Sequence, residues 1–147
     1  MVVAPIMQRL KTAGLRPTRQ RVALAGLLFR KGDRHVTAEQ LHQEALGEKV
    51  RVSLATVYNT LHQFTDAGLL REVVVEAGRS YFDTNVSDHH HFFLVDSGGL
   101  VDIASEHIAV AALPDAPRGT AVERVDVIIR VRGQPDDESA RGKPSRR

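Results

Sequence analysis

The sequence contains no cysteine. That excludes disulfides, thiolate catalysis, iron–sulfur clusters and every zinc site built on thiolates. Any metal held by this chain must be held by histidine and carboxylate. No apolar run approaches the roughly 18–20 residues of a membrane-spanning helix, so no membrane partner is expected. The opening MVVAPIMQRLKTAG lacks a long apolar stretch and a small-residue cleavage site, which points to a cytoplasmic location. Acids are missing from the start of the chain. Residues 1–31 hold seven Lys/Arg and no Asp or Glu. Through Asn85 there are 12 basic and 8 acidic residues, and from Val86 onward 8 and 10, so a net +4 precedes a net −2. One end is suited to meet a polyanion and the other is not.

What is present divides the 147 residues into two small domains. Pro5 suits a first helical turn, and Ile6, Leu10 and Ala13 share a face before Gly14 ends the helix. Thr18 caps a second helix with Val22, Ala25, Leu28 and Phe29 on its buried stripe, stopped by Lys31-Gly32-Asp33. Thr37 and Gln40 form a capping-box pair for a third helix over 38–46. Ser53 caps a fourth, with Leu54, Val57, Leu61 and Phe64 on one side, ending at Gly68. Residues 70–76 and 79–83 then read as strand–turn–strand around Ala77-Gly78. Helices followed by a hairpin fit a winged helix-turn-helix over 1–84, in which one helix enters the major groove. The outline also suits a four-helix protein-binding domain.

Residues 85–88 read as a polar hinge. Beyond them, 91–95 and 100–103 flank Asp96-Ser-Gly-Gly99 as a second hairpin. Residues 105–113 are expected to be a short helix, and 121–132 alternate with period two as a strand. The segment 89–132 has too few residues to bury both faces of a sheet, so a homodimer is expected. The last 15 residues, 133–147, lack large apolar groups and are expected to be disordered.

Two constellations carry chemistry. On the fourth helix, Thr56, Asn59, Thr60 and Gln63 lie away from the apolar stripe, polar but uncharged, as base-edge readers are. Tyr58 beside them can pack its ring on a thymine methyl and set its hydroxyl near a phosphate. Arg16, Arg19 and Arg51 precede helix starts, where they can clamp phosphates. The second constellation is Asp88-His-His-His91. On an extended segment His89 and His91 project to one side and His90 to the other. An i, i+2 imidazole pair is a compact chelate for Zn, Fe or Mn, which Asp83, Asp102 and His35 can complete. The same imidazoles can ligate haem iron, with Phe92, Phe93 and Leu94 against the porphyrin. His42, His62 and His107 stand alone and read as surface or packing residues.

GLRPTRQR (14–21), HVTAEQL (35–41), LATVYNTLHQFTDAGLL (54–70) and the histidine run resemble the ferric uptake regulator (Fur) superfamily over about residues 8–104. The resemblance implies a homodimeric, metal-responsive transcription factor or repressor of α+β class. Its N-terminal winged helix-turn-helix is followed by a small α/β dimerisation domain. It also implies a metal site of His35, Asp83, His89, His91 and Asp102, with Asp at two positions where many members have Glu. Candidate DNA contacts are Arg16, Arg19, Arg51, Ser53, Thr56, Tyr58 and Asn59, the last standing where a basic residue often follows the tyrosine. Many members carry a structural zinc on two CxxC pairs, which this chain lacks. The HHH run in place of HHxH resembles the iron response regulator (Irr) branch, implying haem at His89, His90 and His91 and control of iron and haem-synthesis genes.

The expectation is therefore a regulator binding double-stranded DNA at an A/T-containing inverted repeat, under control of iron or haem, with zinc or manganese as alternatives. A manganese-, zinc- or peroxide-responsive member of the same family is the nearest rival. From a different class, a small metallohydrolase would need an acid or base beyond the ligands themselves. None is evident, so no enzyme is expected.

Overall fold

Thr18, Thr37 and Ser53 each sit at the head of a helix in extended backbone and accept a hydrogen bond from the N–H of its third residue. These caps place α2 (Arg19–Phe29), α3 (Ala38–Gly47) and α4 (Leu54–Asp66) behind α1 (Val3–Thr12). At Thr37 the box is complete: Gln40 N–H donates to Thr37 Oγ1 at 3.1 Å, and Thr37 N–H to Gln40 Oε1 at 2.9 Å. The α4 end depends on Gly68 at φ 82°, a left-handed conformation that glycine takes without strain, after which Leu69 N–H reaches back to Phe64 O. The computed structural model describes residues 3–76 and 78–134. It divides into two compact units between Ser87 and Asp88.

In the first unit, Leu24, Leu27 and Leu28 of α2, Leu41 and Ala45 of α3, and Val57, Leu61 and Phe64 of α4 are fully buried in one cluster. Burying each large side chain is worth about 1.5–3 kcal/mol, so this cluster decides how the helices pack. Its sheet contains β1 (His35–Val36), β2 (Arg71–Glu76) and β3 (Arg79–Asp83), ordered β1-β3-β2 and wholly antiparallel. Two-residue β1 carries no period-two pattern long enough to be read from sequence. It exists because β3 offers a free edge, and it sets His35 opposite Asp83 and Val36 opposite Phe82.

In the second unit, β4 (His89–Leu94) is central, antiparallel to β5 (Gly99–Ala104) and parallel to β6 (Ile128–Val131). Two expectations are corrected here. Residues 105–113 form only a 3₁₀ turn, Ser105–His107. Ala104 supplies no cap, β-branched Ile108 and Val110 disfavour helix, and Pro114 biases Leu113 toward extended backbone. The strand expected over 121–132 is regular only at Ile128–Val131, where β4 offers partners from His91 to Leu94. Beyond Gln134, the tail expected over 133–147 lies outside the described residues.

Candidate metal centre and nucleic-acid interface

Each unit holds its own group of ligand-type side chains. In the first, the β1–β3 register brings His35 Nε2 to 3.2 Å from Asp83 Oδ2. The Asp83 side chain is 1% exposed, and its Oδ1 accepts Asn85 N–H at 2.9 Å. Reciprocal bonds stitch β1 to the end of β3: Arg34 N–H donates to Thr84 Oγ1 at 2.8 Å, and Thr84 N–H to Arg34 O at 3.0 Å. Arg34 also donates to Glu44 of α3 from both terminal guanidinium nitrogens, at 2.9 and 2.5 Å. That hydrogen bond, more than the nearby positive charges, lowers the Glu44 pKa below the ordinary glutamate range.

In the second unit, burial alternates along β4, with His89, His91 and Phe93 buried and His90, Phe92 and Leu94 half-buried. His91 stands opposite Asp102 of β5. His89 Nε2 and His91 Nε2 lie 3.5 and 3.4 Å from the same Asp102 oxygen, with ring centroids 4.5 Å apart. These separations exceed a good N–H···O bond. They match neighbouring donors around an ion: at metal–nitrogen distances near 2.1 Å, tetrahedral donors lie about 3.4 Å apart. The donors are imidazole nitrogen and carboxylate oxygen without thiolate, a set that suits Zn, Fe or Mn. His90 differs. Its Nδ1 accepts Val127 N–H at 3.1 Å, which leaves the ring proton of a neutral imidazole on Nε2.

On the first unit's outer side, Arg16, Arg19, Arg51, Ser53 and Asn59 are exposed, while Thr56 and Tyr58 are half-buried. Ser53 Oγ donates to Thr56 Oγ1 at 3.0 Å and accepts Thr56 N–H, so both hydroxyls are committed to the cap of α4. Thr60, read from sequence as part of the polar stripe, is 5% exposed and belongs to the packed side.

Partners of this face escaped sequence reasoning. Tyr58 O–H donates to Glu39 at 3.0 Å, and this bond, with some burial, raises the tyrosine pKa. Arg21 donates to Gln63 Oε1 at 3.0 Å. The ring of His62 stacks on Tyr58. The two hydrogen bonds join residues 19 and 42 positions apart, beyond the reach of local spacing rules. Tyr58–His62, four apart on one helix, had a legible signal in that spacing.

Comparison with known proteins identifies the family and the fold. The sequence model of the ferric uptake regulator family matches residues 12–129. The ferric uptake regulation protein of Vibrio anguillarum is 34% identical over 102 residues, 69% of this chain and 68% of that protein. Among solved structures, the Vibrio cholerae ferric uptake regulator superposes with a TM-score of 0.69 at 25% identity, covering 86% of this chain and 98% of that one. The ferric uptake regulator of Pseudomonas aeruginosa, solved with manganese, gives 0.66 at 25% identity, covering 92% and 100%. The fold is thus α+β of the Fur type. The chain belongs to the ferric uptake regulator family, whose members are metal-binding, DNA-binding transcription regulators rather than enzymes.

Proposed function

We propose that the chain is a dimeric repressor of iron-acquisition genes whose hold on DNA is set by one divalent ion, shared by His35, Asp83, His89, His91 and Asp102. The observation that carries this reading is the pair of buried imidazoles on β4 aimed at one Asp102 oxygen at separations typical of coordinated donors. The His35–Asp83 pair supplies two further donors, and only residues 84–88 connect Asp83 to His89. The six Cα–Cα steps from Asp83 to His89 span at most about 22 Å, so the chain allows the two groups to meet on one ion. An ion bound by both would fix the hinge and, in a dimer, the spacing of two α4 helices along the duplex.

In this reading Tyr58 and Asn59 meet base edges while Arg16, Arg19 and Arg51 meet phosphates of an A/T-containing inverted repeat in the cytoplasm. Ser53 and Thr56 hold the N-terminus of α4 in place there. Iron(II) is the physiological effector proposed. The manganese-bound Pseudomonas aeruginosa relative supports Mn(II) as its laboratory substitute.

Haem on the Irr pattern is the less favoured effector. His90 projects away from the face of His89 and His91, and a haem ligated by its Nδ1 would have to break the bond from Val127. The deciding experiment titrates metal-free protein with Fe(II) under anaerobic conditions, Mn(II), Zn(II) and haem, while anisotropy follows binding to a duplex selected from a random pool. Tight binding only with Fe(II) or Mn(II) is expected. Binding indifferent to every divalent ion overturns the reading, and a Soret shift lost in a His89–His91 triple alanine variant would establish the haem alternative.

A further inference from the structure

We infer that His62 is a positioning residue for the reading tyrosine, its imidazole tying Tyr58 of α4 to Phe82 of β3; the inference rests on the proposed reading of α4 as the DNA-contacting helix. His62 lies four residues beyond Tyr58, hence one turn along on the same side of the helix. The two rings are stacked, with centroids 6.5 Å apart and planes 18° from parallel. The imidazole also meets Phe82 edge-on, at 5.4 Å and 81°. Both arrangements are ones that aromatic quadrupoles favour, the stacked pair near the outer limit of useful separation.

Phe82 is a fixed anchor. It is fully buried in the helical core and paired with Val36 on one side and Glu72 on the other. It is also the residue immediately before Asp83, so a shift of β3 at the carboxylate moves Phe82 as well. The Tyr58 hydroxyl is held separately by Glu39. The phenol is thereby gripped at both ends, by an imidazole at the ring and a carboxylate at the hydroxyl. A side chain fixed before it meets the duplex loses less rotamer freedom on binding, which favours the specific complex over the non-specific one. His62 itself is exposed, yet it is the bridge between the buried strand and the half-buried tyrosine.

The test uses full-length protein loaded with Mn(II), and the duplex that wild type selects from a random pool. His62→Ala is expected to weaken operator binding about fivefold to tenfold, and His62→Phe, which keeps a ring, to restore it to within about twofold. Affinity for unselected DNA should change by less than about twofold in both. In a Tyr58→Ala background His62→Ala should cost nothing further, because the residue it positions is gone. In parallel, the His62 ring protons in the NMR spectrum should shift when Tyr58 becomes Ala. Full operator affinity in His62→Ala, or the same loss with and without Tyr58, overturns the inference. A wild type that selects no duplex sinks the regulatory reading and the inference with it, whereas selection by wild type with an indifferent His62→Ala sinks the inference alone.

Discussion

Replacing Asp83 by Asn separates a metal-binding role from a structural one. The side chain is 1% exposed, accepts Asn85 N–H at 2.9 Å and lies 3.2 Å from His35 Nε2. The amide keeps an oxygen for Asn85 and nearly the same volume but removes the buried negative charge. Since a buried carboxylate carries a desolvation penalty of its own and the amide keeps the bond from Asn85, the metal-free variant should lose less than the ~3–5 kcal/mol that breaking a buried charged pair costs. Metal linkage should change much more. At a metal concentration 100 times Kd, binding adds about 2.7 kcal/mol to the wild type. Loss of one donor in five is expected to raise Kd about 100-fold, the upper end of what altered metal shells cost. At the same metal concentration, occupancy then contributes only RT ln 2, about 0.4 kcal/mol. With about 2–4 °C per kcal/mol for a chain of this length, a Mn(II)-induced Tm rise of about 5–10 °C should shrink to about 1–2 °C. Circular dichroism melts with and without Mn(II) measure both quantities. A variant that keeps the whole metal-induced rise shows that Asp83 is not a donor. One that loses several kcal/mol without metal shows that its role is to hold β1 against β3.

Tyr58→Ala should weaken operator binding by about 1–3 kcal/mol at fixed salt while leaving non-specific binding nearly unchanged; anisotropy against both duplexes checks this. Ser53→Ala removes the acceptor for Thr56 N–H and should cost about 1 kcal/mol of stability in denaturant titrations. Glu44→Gln tests the grip of Arg34 through pH. Because the folded pKa of Glu44 is lowered, its stabilisation is present above the unfolded-state value and disappears as pH falls through the folded one. The side chain is 37% exposed and partly screened, so the variant should lose about 0.5–1 kcal/mol at pH 7 and match wild type in acid below the lowered pKa. Val101→Asp, on the exposed face of β5, should turn the dimer into monomer by sedimentation and lower Tm, with wild-type Tm rising with protein concentration.

Local chemistry made much of the first unit legible. A hydroxyl at the head of each of α2, α3 and α4, an apolar stripe of period 3.6 and a glycine after α4 act over four or five residues. Sequence therefore located those helices and the β2–β3 hairpin. What it missed was set at a distance. The strand His35–Val36 is made by the edge of β3, and the commitment of Tyr58 to Glu39 by the packing of α4 on α3. Thr60 looked like a surface residue because hydroxyl residues usually are, but its place on α4 turns it toward the interior. In the second unit, period-two alternation over 121–132 could not reveal how much of β6 would find a partner, because that depends on β4. The histidine spacing was legible for a simpler reason: in any strand, residues 89 and 91 share a face.

The missing thiolates leave a consequence in the second unit. Among the described residues there, Phe93 and Ile103 are the only buried large hydrophobics, and their buried neighbours on β4 include His89 and His91. Two apolar side chains at about 1.5–3 kcal/mol each fall far short of the ordering entropy of a segment of some 45 residues, which runs to tens of kcal/mol. No disulfide or thiolate-bound zinc can make up the difference in a chain without cysteine. The apolar surface still available lies across the sheet, where Phe92 stands between Val101 at 47% exposure and Ile129 at 38%. Covering that row with the same row of a second copy would add the core that one copy lacks, and dimerisation and folding of this unit would then be one event. The imidazoles of His89 and His91, buried at 4% and 1% exposure, put part of the proposed metal site in the same small body. If this face is the dimer contact, an ion bound there would stabilise the sheet that carries it and would couple effector binding to the twofold arrangement of the proposed reading helices.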